Sequence, residues 1–118
     1  MSESAYDLFR EGQKRLRSGL TAQATVPLEK AKKLEPAKAS IREALGIAYF
    51  RLARWRDAER EFRTIVEELS PTDHYAHYAL GRALEKQGRE SEANGHYKLA
   101  SSLRPGEEAY ASRIRDLD

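Results

Sequence analysis

The chain contains no cysteine. That excludes disulfides, thiolate nucleophiles, cysteine-ligated zinc and iron–sulfur clusters, and leaves the fold to packing alone. Long apolar runs are missing too: the stretch from Ala44 to Phe50 falls far short of the roughly 20 residues that cross a bilayer as a helix. Met1-Ser2-Glu3-Ser4 is polar where a signal peptide would be basic and then apolar, so the expected location is the cytoplasm, with no membrane partner. Charge of one sign is scarce. The 21 Lys and Arg nearly balance 19 Asp and Glu, and a formal net charge of +2 is too small for a nucleic-acid footprint. There is no Gly-rich phosphate loop, no Gly-flanked nucleophilic Ser and no alternating strand pattern to carry either, so neither an enzyme nor a cofactor is expected. The 118 residues, 40% of them hydrophobic, suit one domain.

What the chain does have is a repeat. Gly12, Gly46 and Gly81 recur at steps of 34 and 35 residues, and each is followed twelve positions later by Ala24, Ala58 or Ala93. Four residues on comes a bulky side chain (Leu28, Phe62, Tyr97), three more bring Ala31, Ile65 or Ala100, and Pro36, Pro71 and Pro105 close the units. The prolines step by 35 and then 34, so the middle unit holds one extra residue, expected between Phe62 and Pro71. Ile41, Leu45, Ala48, Tyr49 and Leu52 form one helical stripe, and Ala58, Phe62, Ile65, Val66 and Leu69 another. Ser18-Gly19, Ala53-Arg54 and Gln87-Gly88-Arg89 mark turns between paired stripes. Each unit therefore reads as a helical hairpin whose Gly and Ala permit close approach. Pro27 is a local misfit that predicts a kink or a frayed start in the second helix. Asn94-Gly95 reads as an exposed helical face that tolerates a poor helix former.

Gly12, Ala24, Ala31 and Pro36, then Leu45-Gly46, Tyr49, Ala58 and Phe62, then Leu80-Gly81, Ala93, Tyr97, Ala100 and Pro105 resemble tetratricopeptide repeats over about residues 5–106. The resemblance implies an all-α fold: a right-handed α-solenoid of three helix-turn-helix repeats, near 5–38, 39–73 and 74–107. A capping helix over about 107–117, with Tyr110, Ile114 and Leu117 at helical spacing, brings the total to about seven helices. Where the family often has Trp or Leu, Leu8 fits, whereas Arg42 and His77 depart.

The resemblance also implies a non-catalytic protein-interaction module, an adaptor, scaffold or chaperone-like subunit, in which the first helix of each repeat lines a concave groove. The groove positions map to Tyr6, Phe9, Gln13 and Arg17, to Glu43, Ile47, Phe50 and Arg51, and to Tyr75, Tyr78, Arg82 and Lys86. Independently of the resemblance, Phe9, Ile47, Phe50, Tyr75 and Tyr78 lie off the hairpin stripes and are apolar area without an internal use. Some such proteins grip a terminal carboxylate with Lys, Asn and Arg; the matching positions here are Phe9, Gln13, Ile47, Tyr75 and Ala79, so that grip is missing. The expected partner is a protein or peptide with apolar anchors, helped by Arg51 and Arg82 against acidic groups. Two alternatives stay open: the same aromatics join copies into a homo-oligomer, or the terminal helix or a bent first unit folds over some of the rings.

Other constellations read as structural. His74 and His77, at i and i+3, have the spacing of a two-imidazole metal site, but no third ligand is evident and no metal is expected. Asp73 suits the N-terminus of the helix they begin. Glu67-Glu68 and Glu107-Glu108 read as solvated charge. Arg51, Arg54 and Arg56 around Trp55 have the ingredients of a phosphate or RNA contact, offset by Asp57, Glu59 and Glu61.

Overall fold

A computed structural model describes residues 3–117. Helices α1 (Ala5–Arg17) and α2 (Thr21–Leu34), α3 (Ala39–Arg51) and α4 (Trp55–Thr64), and α5 (His74–Glu85) and α6 (Glu90–Leu103) pair as three hairpins. Each second helix also packs on the next first helix, α2 on α3 and α4 on α5, giving a rod of 56 × 24 × 22 Å. The described residues are all-helical, an α-solenoid as the periodicity requires.

The hairpins close where glycine meets a large side chain. A Cβ on Gly46 would lie 2.6 Å from the Phe62 ring and one on Gly81 would lie 2.5 Å from Tyr97, with Gly12 set against Leu28 in the same way. Leu28, Phe62 and Tyr97 are almost completely buried beside Ala24, Ala58 and Ala93. Each first helix then ends in the same six-residue turn. The amides of Leu20, Arg54 and Arg89 reach back to the carbonyls of Arg15, Tyr49 and Leu84, the bonding of a Schellman cap. The left-handed residue inside the cap is Gly19 or Gly88 in two repeats but Ala53, at φ 59°, in the middle one.

The extra residue of the middle unit sits where its spacing predicts. After Thr64 the helix widens into a π-helical turn, Ile65–Leu69, closed by the Ser70 amide on the Ile65 carbonyl at 2.7 Å. A single insertion inside a helix is absorbed in this way without breaking the backbone ladder. Ile65 and Val66 stay buried while Glu67 and Glu68 take the solvent side.

Several expectations are corrected. Pro27 does not fray the start of α2: the helix runs from Thr21 through it, and the Gln23 carbonyl left without its donor accepts from the Arg15 guanidinium at 2.9 Å. Asn94 is not on a solvent face but buried, although Gly95 beside it does meet open space. The terminal helix α7 is one turn, Glu108–Ala111, rather than reaching Leu117. Beyond it the chain runs as a strap, held where the Asn94 amide group donates to the Arg115 carbonyl (2.9 Å) and accepts from the Arg115 amide (2.7 Å). A side chain that satisfies backbone groups twice replaces the helical bonds the strap lacks.

Arg42 and His77, the two departures from the repeat pattern, have the same job. Arg42 donates to the Pro36 carbonyl (2.9 Å) and to buried Glu61 (3.1 Å), which also takes Lys32 (2.9 Å). One repeat on, the His77 Nε2 meets the Pro71 carbonyl (2.8 Å) and its Nδ1 meets the Nδ1 of His96 (3.1 Å). Leu8 and Pro27 fill the equivalent positions of the first repeat, and both are buried. Position for position, these sites are thus apolar, then ionic, then imidazole on imidazole.

Candidate functional site

The first helices lie side by side on one face of the rod. Their outward positions are three or four residues apart, so they fall on one stripe per helix. Between α1 and α3 opens a cavity of about 240 Å³, lined by Phe9, Gln13, Leu16 and Arg17 from one side and Ser40, Glu43, Ala44 and Ile47 from the other. Between α3 and α5 lies a second, also about 240 Å³, lined by Ile47, Phe50 and Arg51 and by Tyr75, Tyr78, Ala79 and Arg82, with the edge of Phe62 at its floor. Ile47 is the ridge common to both. Ten of the twelve groove positions expected from the sequence thus line two adjoining clefts. Lys86 lies outside both, over the Trp55 ring, and Tyr6 is 64% exposed and borders a separate hollow beside Phe9, at the α1 end of the face.

The rings are neither bare nor fully covered. Phe9, Ile47, Phe50, Tyr75 and Tyr78 are half-buried and packed on the core. Phe50 meets Trp55 edge to face at 4.9 Å, and the Arg82 guanidinium lies over the Phe50 ring at 5.2 Å. Tyr78 is flanked by Tyr75 (6.3 Å), Tyr97 (5.9 Å) and Tyr110 (4.9 Å). Tyr110 comes from α7, so the terminal turn does cover one end of the stripe, at Tyr78, and leaves the cleft between α3 and α5 open. The sequence marks Tyr110 only as a residue of the cap; its place over Tyr78 depends on how α7 turns back. Leu16, Ser40, Ala44 and Phe62 also lie outside the sequence expectation for the groove. Phe62 was assigned to the hairpin stripe, where it indeed sits, and one residue serves both surfaces.

Charge divides the face. Burial, with the Asp73 charge adding to it, lifts the Glu43 carboxyl above its ordinary range. Burial likewise raises the Tyr75 phenol, reinforced by Glu43, Tyr78 and Tyr110 and opposed by Arg51. Arg51 and Arg82 have only long contacts, to the Leu16 carbonyl and the Tyr78 hydroxyl, each 3.4 Å.

His74 and His77 do not converge. His74 Nδ1 meets the Tyr110 hydroxyl (2.7 Å) and its Nε2 faces Arg104 (3.3 Å), whereas His77 turns inward to His96. Among the described residues no group of three His, Cys, Asp or Glu side chains is placed to hold a metal ion. Around Trp55, Arg54 is spent on Asp57 (2.8 Å) and on the face of Tyr49 (4.5 Å). No described helix is long and apolar enough to cross a membrane.

No family model matches the chain, and neither does any curated protein. Solved structures do match. The first tetratricopeptide domain of Spaghetti (RPAP3), bound to the HSP90 peptide SRMEEVD, superposes with a TM-score of 0.90 at 23% identity, over 98% of this chain and 90% of that one. MamA gives 0.89 at 24% identity over 93% of this chain. YrrB, described as a tetratricopeptide protein with an unusual peptide-binding site, gives 0.88 at 16% identity over 94%. The chain spans 64% of the MamA chain and 57% of the YrrB chain.

Proposed function

From a chain with the tetratricopeptide-repeat fold, we propose a non-catalytic protein-interaction module whose first-helix face holds a peptide or partner helix. The observation that carries this is the pair of clefts meeting at Ile47, apolar in their walls, open to solvent and bordered by cations. Clefts of this kind take side-chain anchors of a partner, and half-buried aromatics supply rigid contact area at little entropic cost. The similar domain of Spaghetti holds a peptide, and YrrB has a peptide-binding site. The carboxylate-gripping set of Lys, Asn and Arg is replaced here by Phe9, Gln13, Ile47, Tyr75 and Ala79, so a free chain end is not the feature read.

The test is affinity capture with the wild-type chain beside Phe50→Asp, with mass spectrometry of what elutes and circular dichroism of both baits. A partner taken by the wild type and lost by a variant of unchanged helicity supports the groove. A partner held equally by both places the interface elsewhere. Recovery of the bait alone, with a mass that rises with concentration in sedimentation, replaces this reading with self-association.

A further inference from the structure

Arg17, Arg51 and Lys86 are equivalents, 34 and 35 residues apart. Arg17 and Arg51 end α1 and α3, and Lys86 caps α5. A cation at a helix C-terminus is favoured by the dipole, which explains each one singly. It does not neutralise them. None of the three, nor Arg82 beside them, has a carboxylate of a described residue within ion-pair distance.

The contrast with the second-helix side is sharp. There Arg63 holds Glu59, Glu67 and Glu92, and Arg89 holds Glu59 and Glu92. Those three carboxylates are spent on Arg63 and Arg89, while Arg17, Arg51, Arg82 and Lys86 at the groove keep their charge. The carboxylate inside the groove, Glu43, is half-buried and lifted in pKa, and it lines the cleft farther from Arg82.

Resting on the groove reading above, we infer that the occupant is an acidic protein segment carrying one bulky apolar side chain. The apolar anchor enters the cleft between α3 and α5, against Ile47, Phe50, Tyr75 and Tyr78, and neighbouring carboxylates meet Arg51 and Arg82. The rim cations Arg17 and Lys86 extend the same field to either side. Size agrees: a cavity of about 240 Å³ lies below the ~300–1,000 Å³ of small-molecule sites and suits a single side chain. Arg51 has a long hydrogen bond to the Leu16 carbonyl and Arg82 a long one to the Tyr78 hydroxyl, each 3.4 Å, with Arg82 also over the Phe50 ring; neither is tied to a carboxylate of a described residue, and their planar fork is suited to one. Nucleic acid would need open ring faces for bases to stack on. Here Arg82 covers Phe50, Lys86 lies over Trp55 at 5.5 Å and Tyr110 packs on Tyr78.

The test is selection from a random 12-residue peptide display library on the full chain. Synthetic copies of the selected peptides are then titrated against wild type, Arg51→Gln/Arg82→Gln and Phe50→Asp, each checked for helicity. Expected are peptides rich in Asp and Glu around one aromatic or large aliphatic residue. Their affinity should fall ~10-fold or more in the double Gln variant, as loss of charge-assisted bonds requires, and should weaken with salt. The surface arginines can be changed without disturbing the core, so this arm stands even if Phe50→Asp fails to fold. Peptides with no acidic bias, bound equally by the double Gln variant but lost in a folded Phe50→Asp, overturn the acidic occupant and leave the groove. Peptides indifferent to all the substitutions overturn the groove itself. No enriched peptide, together with a labelled poly-uridine oligonucleotide bound by wild type and released by the double Gln variant, makes the rim a phosphate track and overturns the inference. No enriched peptide and no oligonucleotide binding overturns it as well.

Discussion

At the scale of single residues, conformation and size decide. Ala53 occupies the left-handed position that Gly19 and Gly88 fill in the other two turns. A Cβ there costs about 1–2 kcal/mol, partly offset by the greater freedom glycine has when unfolded. Ala53→Gly is therefore expected to raise stability by roughly 0.5–1 kcal/mol, read as a higher midpoint in thermal or urea unfolding; a lower midpoint would mean the turn is not strained. Gly81→Ala has the opposite sign, because the new Cβ would stand 2.5 Å from the Tyr97 ring and that ring is locked in the core. A loss of about 1–3 kcal/mol is expected from overpacking, and the same for Gly46→Ala against Phe62. A neutral Gly81→Ala would show that Tyr97 can retreat, contrary to its burial.

At the scale of the element, the residues between first and second helix change chemistry from repeat to repeat, and only the third set is built of imidazoles. The His77 and His96 rings face each other edge to edge: the Nδ1 atoms are 3.1 Å apart, the centroids 5.3 Å, and the planes differ by 24°. One shared proton satisfies that contact. Burial lowers the His96 pKa from its ordinary 6.5, joined by the charges of His77 and Arg63 and opposed by Glu92 and Glu67. The folded state thus favours neutral His96, and the unfolded chain takes up the proton first as pH falls. Stability is full above about pH 6.5 and declines below it, until the pH passes the lowered folded value. Thermal midpoints from pH 7.5 to 5.5 should fall for the wild type and flatten in His96→Gln. Equal slopes would exclude the imidazole pair as the cause. A second decline belongs to lower pH. Burial works against charged Glu59, yet bonds from Gln87 and Arg63 and the Arg89 charge hold it below its ordinary 4.5. Arg63 and Arg89 also hold Glu92 down, with burial opposing. The stability these carboxylates add is lost as they protonate in acid.

At the scale of the whole molecule, a stack of hairpins is stable only when its ends are covered. Tyr110, buried over Tyr78 and bonded to His74, covers the last repeat, and Ile114 packs on the core behind it. Arg113 and Arg115 bring the strap onto Glu85, at 3.7 and 3.3 Å. Asn94 is the buried anchor of that segment. Asn94→Ala removes both of its bonds to Arg115 and is expected to cost about 1–2 kcal/mol. Loss of hydrogen-exchange protection should be confined to the Arg115 amide and its neighbours, leaving α1 to α4 unchanged. Protection lost evenly along the chain would instead show that the strap and the repeats unfold as one unit.

The sequence by itself determined the hairpins, their number and their contact positions. Small and large residues must return in register for helices to close, and that periodicity is written in Gly12, Gly46, Gly81 and their partners. It also located the extra residue of the middle repeat, because an insertion shifts spacing whatever form the backbone then takes. Phe9, Ile47, Phe50, Tyr75 and Tyr78 were readable as apolar positions off the hairpin stripes, because periodicity shows which side chains the hairpins do not use; the remaining groove positions came from the family resemblance. Tertiary structure decided what lies between elements far apart in sequence. Arg15 repairs the carbonyl exposed by Pro27, Asn94 is buried by a strap from twenty-one residues on, and Tyr110 closes the stripe at Tyr78. Each depends on where two segments come to rest in space, which periodicity along the chain does not encode. The same is true of the rim charge: the composition is nearly neutral, and the fold ties Arg63 and Arg89 to Glu59 and Glu92 while it leaves Arg51 and Arg82 at the groove without an ion pair among the described residues.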